Sequence, residues 1–340
     1  MNVATSDFPF TPSVLPSAPG PYGGIMLGNS AAMQEVTRLI ERVGPTDASV
    51  FLTGESGSGK ELAAQLIHER SGRRAGPFVA INCGAVPAGL IEAELFGHEK
   101  GSFTGAIRAH AGVFERAQGG TLLLDEVTEM PLEMQTRLLR VLETRKFYRV
   151  GASTELTTDV RVIAATNRCP LQAVETAQLR EDLLYRLAVF PIAMPPLRDR
   201  GNDVEILAEH FLADLNARRG TQKRLSAVAR MMLKQHSWPG NVRELKNCIE
   251  RAYILGDDVL ELAPLIPSNA NGRGADGADT RERLDIRVGS RIEDMERSLI
   301  EATLDHFQGN KRRAADALGC SLKTLYNKLN GYSQQQFASN

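Results

Sequence analysis

The chain has 340 residues, 42% of them hydrophobic, enough to bury a large core and to form roughly two domains. Its formal net charge of −1 gives no whole-chain attraction for nucleic acid, so any basic surface has to be local. The four cysteines (Cys83, Cys169, Cys248 and Cys320) form no CxxC pair, which argues against a structural zinc site or disulfide framework. With no long apolar run and no signal-peptide pattern, a cytoplasmic protein is expected.

Residues 1–23 are rich in Pro, Ser and Gly and read as a flexible tail. From Gly24 to about Pro267, apolar runs alternate with amphipathic stretches. The runs SVFLTG (49–54), PFVAINC (77–83), TLLLDEV (121–127), VRVIAATN (160–167) and VFPIAMPPL (189–197) predict strands. Apolar runs buried on both faces and separated by helices indicate a parallel sheet in an α/β domain. After Leu197 the pattern reads as helices only, a lid over about 198–267 on a core of about 24–197. A polar, Gly-rich linker occupies 268–283, a second small helical unit spans 284–331, and 332–340 is a tail.

Between the first strand and the next helix lies Gly54-Glu55-Ser56-Gly57-Ser58-Gly59-Lys60-Glu61. That is the context of a P-loop, whose glycines let backbone N–H groups curl around phosphates while Lys60 reaches the β/γ oxygens. Glu61 stands where Ser or Thr usually ligates Mg²⁺, so the metal has to rely on other groups. Asp125 and Glu126 end the strand TLLLDEV at the sheet edge where α/β ligand sites lie. Asp125 is expected to hold Mg²⁺ through water and Glu126 to polarise the attacking water, against the plainer reading of a solvated acidic turn. Thr166 and Asn167 end the following strand, placed to sense the γ-phosphate, and Asn82 ends PFVAINC.

Three arginines fit the same chemistry. Arg180 and Arg186 sit six apart in REDLLYRL, and Arg243 lies early in the lid helix of WPGNVRELKN, able to reach back to the phosphates. Surface arginines are usually just solvated, and a helix-start salt bridge with Glu244 or its neighbours is the bland alternative for Arg243. Gly101-Ser102-Phe103-Thr104-Gly105-Ala106 is, by composition, an ordinary flexible loop. Its two glycines also allow a tight hairpin tip on which Phe103 would be an exposed contact aromatic.

In the last unit, Ile292, Met295, Leu299, Ile300 and Leu304 form a helical stripe expected to pack a neighbour such as a dimer mate. GNKRRAADALGCSLKTLYNKLN then reads as helix, turn at Gly319-Cys320, helix, with Ala314 and Ala315 at the crossing, a helix-turn-helix. Lys311, Arg312, Arg313, Lys323 and Lys328 face one acid, Asp316, and make the local basic patch. Ser321, Lys323, Thr324 and Asn327 are expected to meet base edges, with Lys311, Arg312 and Arg313 on phosphates. The plainer alternative is a solvated basic cap.

Together these motifs resemble one family, the AAA+ ATPases of sigma-54-dependent transcription activators (bacterial enhancer-binding proteins), over about Gly24 to Pro267. The terminal helices resemble a Fis-type DNA-binding domain. The resemblance is most specific in ELFGHEKGSFTGAIRAHAGVFERAQGGTLLLDE (94–126), where GSFTGA matches the family's sigma-contacting GAFTGA loop with Ser102 in place of the usual Ala. It implies that Asp125 and Glu126 are the Walker B pair and that Asn82 restrains the catalytic glutamate. Thr166 and Asn167 correspond to sensor I, Arg180 and Arg186 to arginine fingers acting in trans, and Arg243 to sensor II. Glu61 is likewise the family's habit, and 146–160 resembles the insertion that relays nucleotide state. The implied machine is a hexameric ring of this chain or of a paralogous partner. Bound to enhancer DNA, it hydrolyses ATP with Mg²⁺ to open promoters held by sigma-54 RNA polymerase. With only about 23 residues before the ATPase and no receiver domain, its signal is expected to come from expression level, a separate regulatory protein or a partner subunit. Two other readings fit less well: a DNA-binding repressor that uses the AAA+ fold only to oligomerise, which the GSFTGA loop disfavours, and a chaperone-like remodeller, which the helix-turn-helix disfavours.

Overall fold

The computed structural model describes residues 14–15, 26–103, 106–263, 296, 299–300, 303–304, 307 and 310–337. Most of the expected tail, Thr104 and Gly105 of the loop, the 268–283 linker, and Ile292 and Met295 of the helical stripe lie outside them. The chain divides into two units, Met1–Ala270 and Asn271–Asn340.

In the first unit, Val14–Leu15 (β1) pairs antiparallel with Met26–Leu27 (β2), so two residues of the stretch read as a tail are strand. Helix Ala31–Val43 (α1) follows, with Ser30 as N-cap accepting from the Met33 N–H. The five expected strands are all present: Val50–Thr53 (β3), Phe78–Asn82 (β4), Thr121–Asp125 (β5), Arg161–Thr166 (β8) and Phe190–Ala193 (β9). They form one sheet in the order β4-β5-β8-β3-β9, every pairing parallel. Alternate residues feed opposite cores, as the period of two requires. Leu122, Leu124, Val162, Ala164 and Phe51 pack on one face, and Leu123, Ile163, Ala165, Val50 and Leu52 on the other. β3 lies between β8 and β9, so the chain leaves it in both directions and opens a crevice at its C-terminal end, where α/β folds bind ligands. At the opposite end, Arg161 is buried, its guanidinium donating to the Val43, Gly44 and Ala48 carbonyls at the end of α1, a favourable place for a cation.

Around the sheet run Lys60–Glu69 (α2), Ile91–Phe96 (α3), Val113–Arg116 (α4), Leu132–Thr144 (α5), Pro170–Glu175 (α6) and Glu181–Leu187 (α7). A hairpin of Lys146–Tyr148 (β6) and Glu155–Thr157 (β7) stands before β8. The lid comprises Asp203–Arg219 (α8), Ala227–Gln235 (α9) and Asn241–Leu255 (α10) around their own core, with Trp238 at its centre. It is not purely helical: Arg224–Leu225 (β10) and Val259–Leu260 (β11) form a short parallel pair, too brief to leave a periodic signature. Among the described residues, no helix is long and apolar enough to cross a membrane.

In the second unit, Lys311–Ala317 (α11) and Leu322–Phe337 (α12) flank a turn in which Gly319 takes φ +66°. Ala314 and Ala315 are buried at the crossing with Leu325 and Ile300, and Leu304 packs beside them. Part of the expected stripe therefore covers its own helix-turn-helix, while Leu299 is exposed. α12 runs past residue 331, because Gly331 weakens a helix by only about 1 kcal/mol and nothing after it stops one.

Candidate functional site

The P-loop joins β3 to α2, and its backbone shape explains its glycines. Gly54, Gly57 and Gly59 have φ of +149°, +76° and +99°, the region side chains disfavour. A Cβ on Gly57 would also lie 2.3 Å from the Gly240 carbonyl oxygen of the lid. The loop is thus pressed between core and lid. α2 begins without a side-chain cap, which leaves its first N–H groups for an anion. The Ser58 hydroxyl is buried with no partner in the structure. Lys60 is buried, its ammonium donating to the carbonyls of Gly54 (2.8 Å) and Glu55 (3.4 Å) and standing 4.0 Å from Glu126. Burial pulls its pKa below the ordinary value, against the pull of Glu126 and Asp125, and Arg243 pushes it the same way as burial.

The loop opens onto a cavity of about 460 Å³ between core and lid. Ser56 through Glu61, Asp125, Glu126 and Arg243 line one side. Met26, Leu27, Leu207 and Phe211 supply apolar side chains to the lining, and α8 also contributes His210, Asp214 and Arg218. A polar cradle continuous with an apolar slot suits a nucleotide, with phosphates at one end and base at the other.

Glu126 has φ +51°, a strained conformation for a residue with a side chain, and its carboxylate accepts the Asn167 N–H at 3.1 Å. Asp125 accepts from the Glu126 N–H (3.1 Å) and the Asn82 amide (3.4 Å). The Asn82 amide reaches Asp125 and its oxygen accepts the Gly84 and Ala85 N–H groups, while the side-chain hydrogen bond on Glu126 is the one from the Asn167 N–H. Thr166 is fully buried and shares a hydrogen bond with Thr128 while accepting the Arg168 N–H. Neither Thr166 nor Asn167 lines the cavity, so any sensing of nucleotide by this pair passes through Glu126 and the turn that carries Thr128.

Arg243 does reach back from α10, donating to the Ser56 hydroxyl at 3.0 Å. Glu244 turns the other way, accepting from the Gly240 N–H, so the helix-start pair with Arg243 does not form. Arg180 and Arg186 are absent from the cavity lining: Arg180 is paired with Asp182 at 2.6 Å, and Arg186 donates to the Leu142 carbonyl.

Several residues that fix the lid to the P-loop were not singled out from sequence. Arg198 grips Glu55 with both guanidinium nitrogens (2.6 and 2.9 Å), and Glu55 is thereby held below the usual carboxylate range, Asn241 adding a second hydrogen bond. Arg200 is buried against the Ser58 and Pro195 carbonyls, and burial pulls its pKa to about 10 against the opposing charge of Asp203. Asn241, fully buried, donates to Glu55 and to the Ser56 carbonyl (both 3.1 Å) and accepts the Leu197 N–H (2.8 Å). PPLRDR and WPGN carried these residues, but only three-dimensional proximity reveals their partners.

The 101–106 loop departs from expectation at its aromatic. Phe103 is half-buried, its ring edge-on to His98 at 4.9 Å, and the exposed apolar side chain is Ile107, at 83%. Gly101 and Ala106 close the stem through an N–H to carbonyl bond of 2.8 Å.

On the second unit, Lys311, Arg312, Arg313, Lys323, Thr324 and Asn327 are exposed as expected. Ser321, exposed, stands at the start of α12, its hydroxyl accepting the Thr324 N–H at 3.1 Å as a helix cap. Lys328 is paired with Glu296 at 2.6 Å, and Lys311 lies over the Tyr326 ring at 4.7 Å.

Comparison with known proteins agrees with this layout. Residues 26–193 match the sigma-54 interaction domain, 198–282 the AAA+ ATPase lid domain, and 291–332 the Fis family of bacterial regulatory proteins. The transcriptional regulatory protein FlbD of Caulobacter vibrioides is 45% identical over 321 residues, covering 91% of this chain and 70% of its own length. The DNA-binding transcriptional regulator NtrC of Azospirillum brasilense is 44% identical over 329 residues, 89% of this chain and 68% of its own. Among solved structures, NtrX from Brucella abortus superposes with a TM-score of 0.70 at 37% identity, covering 89% of this chain and 68% of that one. The same protein in complex with ATP gives 0.66 at 34% identity, covering 90% and 68%.

Proposed function

The chain belongs to the family of sigma-54-dependent transcription activators, and from that membership we propose that it acts as a ring whose subunits hydrolyse ATP at their shared boundaries. It is an ATPase and a DNA-binding activator with sigma-54 as its target. The observation that carries the finer reading is the division of cationic groups. Lys60 and Arg243 border the cavity with Asp125 and Glu126, whereas Arg180 and Arg186 stand away from it. Two arginines that cannot serve their own nucleotide are available to serve a neighbour's, the geometry of a finger supplied in trans.

In this scheme ATP lies with its phosphates along Ser56 to Glu61 and its base against Met26, Leu27 and Phe211. Lys60 leaves its loop carbonyls for the β/γ oxygens, and Glu126, released from Lys60, orients the attacking water while Asn167 holds its other oxygen. Among the described residues no group of three or more His, Cys, Asp or Glu gathers to hold a metal. Asp125, at the edge of the cavity, is the residue that would hold Mg²⁺ through water, and the ion would supply charge neutralisation for the phosphates. The roles of Asn82, Thr166 and Asn167 are to place these two carboxylates. The 101–106 loop, Thr104 included, delivers the stroke to sigma-54, and α12 with Lys311, Arg312, Arg313, Lys323, Thr324 and Asn327 holds enhancer DNA. The ring is built of this chain, alone or with a paralogous subunit, in the cytoplasm.

Lys60→Ala is expected to abolish ATP binding and transcription together, while Thr104→Ala leaves hydrolysis near wild type and abolishes sigma-54-dependent transcription from a supercoiled template. Normal transcription by both variants would refute the scheme.

A further inference from the structure

Gln135 is a buried polar residue that the ATP site itself does not use. It sits in the second turn of α5 with no solvent exposure, yet all its hydrogen-bonding groups are engaged. Its amide nitrogen donates to the Met130 carbonyl and the Gln178 carbonyl, each at 2.8 Å. Its oxygen accepts the Arg180 N–H at 2.9 Å. The amide cannot be reversed, since that would set its oxygen against two carbonyls and its N–H groups against another donor.

What these three bonds join gives the residue its interest. Met130 closes the turn Val127–Glu129 that begins at Glu126, the strained residue holding its carboxylate toward Lys60. Gln178 to Arg180 is the segment that launches α7, with Arg180 at its N-cap. A second side chain makes the same connection. Arg168, directly after Asn167, pairs with Glu129 of the turn at 2.6 Å and donates to the Gln178 side chain. The catalytic turn and the base of Arg180 are thus tied twice, once in the interior and once at the surface.

We propose that Gln135 is a positioning residue that fixes the Arg180 segment to the catalytic turn of its own subunit, so that the state of one ATP site sets the placement of the finger offered to the next. The inference rests on the reading above that Arg180 acts on a neighbour's nucleotide. A shift of Glu126 on binding or losing the γ-phosphate moves the turn, and the buried amide carries that displacement to Arg180 without any new contact. A misplacement of about 1 Å at a catalytic group costs on the order of a hundredfold in rate, so a short rigid link is sufficient.

The test uses subunit mixing in the full-length protein. Gln135→Glu keeps the shape and the acceptor but removes both donated bonds. Gln135→Met keeps the approximate volume and deletes all three, and reports should the buried carboxylate prevent folding. Each variant alone is expected to lose at least about tenfold in kcat for ATP while KM stays within about twofold, because the nucleotide cradle is untouched. Each is then diluted into an excess of Glu126→Gln subunits, which bind ATP without hydrolysing it and carry an intact Arg180. Hydrolysis is normalised to wild type diluted in the same way. Arg180→Ala serves as the reference for a pure finger defect and should recover in this mixture. Recovery of the Gln135 variants alongside it is the expected result. If Arg180→Ala recovers and the Gln135 variants do not, their defect lies in their own site or fold, and the inference is overturned while the ring reading stands. If Arg180→Ala itself fails to recover, or has no defect, the trans finger falls and this inference falls with it.

Discussion

Asn241 offers a clean test of how the lid is fixed to the P-loop. Replacing it with alanine removes four side-chain hydrogen bonds, three donated to Glu55 and to the Ser56 and Pro239 carbonyls and one, buried, accepted from the Leu197 N–H. The stranded Leu197 donor costs about 1–3 kcal/mol. Asn241 also has φ +53°, a conformation asparagine tolerates and alanine does not, adding about 1–2 kcal/mol. The sum is about 3 kcal/mol, which for a unit of this size lowers the melting temperature by roughly 6–12 °C. Asn241→Gly deletes the same bonds without the Cβ penalty and should recover about 1 kcal/mol of the loss. Because the amide also fixes the Ser56 end of the P-loop, ATP affinity should fall about tenfold in both variants, equivalent to about 1.4 kcal/mol. Scanning calorimetry with and without nucleotide, together with an ATP titration, reads all three quantities. Equal melting of the alanine and glycine variants would refute the strain component, and melting of both within a degree of wild type would refute the clamp.

Glu55 gives the clamp a pH dependence. Hydrogen bonds from Arg198 and then Asn241 hold its carboxyl below the ordinary value of 4.5, so its stabilising contribution is present above that value and lost as pH falls through the lowered one. The melting-temperature gap between wild type and Glu55→Gln should therefore be open at neutral pH and close below 4.5; a gap unchanged down to acid unfolding would contradict this. Burial pushes the Cys83 thiol up to about 12, with Asp125 and Glu126 adding to the shift, whereas Cys169 is exposed. Alkylation at mildly alkaline pH followed by mass spectrometry should mark Cys169 well before Cys83, and prompt labelling of Cys83 would mean the core opens readily beside Asp125. Lys323→Ala should lower the slope of log affinity against log salt by about 0.9 if the side chain meets a phosphate, and leave the slope unchanged if it meets only a base edge.

The centre of the sheet and its ligand edge were legible because β3, β5 and β8 carry the near-continuous apolar runs of strands buried on both faces. The P-loop, Asp125 and Glu126 were legible for a related reason: their chemistry depends on order along the chain, strand then glycines then helix. The residues that escaped notice work across long separations. Gln135 touches Gln178 and Arg180, Asn241 touches Glu55, and Arg200 touches Ser58, and none of these pairs leaves a periodic or adjacent trace in the sequence. Which of the two carboxylates Asn82 touches was not legible, because Asp125 and Glu126 are adjacent in sequence and point differently. The φ of +51° at Glu126 swings its carboxylate toward Lys60 and leaves Asp125 facing Asn82. Phe103 was expected at a bare tip because no partner follows it in sequence, yet His98 lies beneath it once the stem closes.

That stem also decides what Ser102 does where relatives of this family usually carry alanine. Its hydroxyl donates to the Glu99 carbonyl at 2.9 Å, and its Cβ lies where only a glycine fits at position 151, since a Cβ there would come within 2.7 Å of it. The added oxygen is therefore consumed inside the loop's own turn and is not offered to a partner. Glu99, in turn, is held by the hairpin region: its N–H donates to the Val150 carbonyl, the Val150 N–H donates to the Gly97 carbonyl, and Arg149 spans Glu99 and Glu115 at 3.0 and 2.6 Å. Two backbone bonds and an ion pair join the segment after β6 to the N-terminal side of the loop's stem, and a second ion pair joins it to α4, so the loop's base is tied to the hairpin region. On the proposed reading, in which this loop meets sigma-54, Ser102 belongs to the base of the loop, and Phe103 and the exposed Ile107 are the apolar side chains left beyond it.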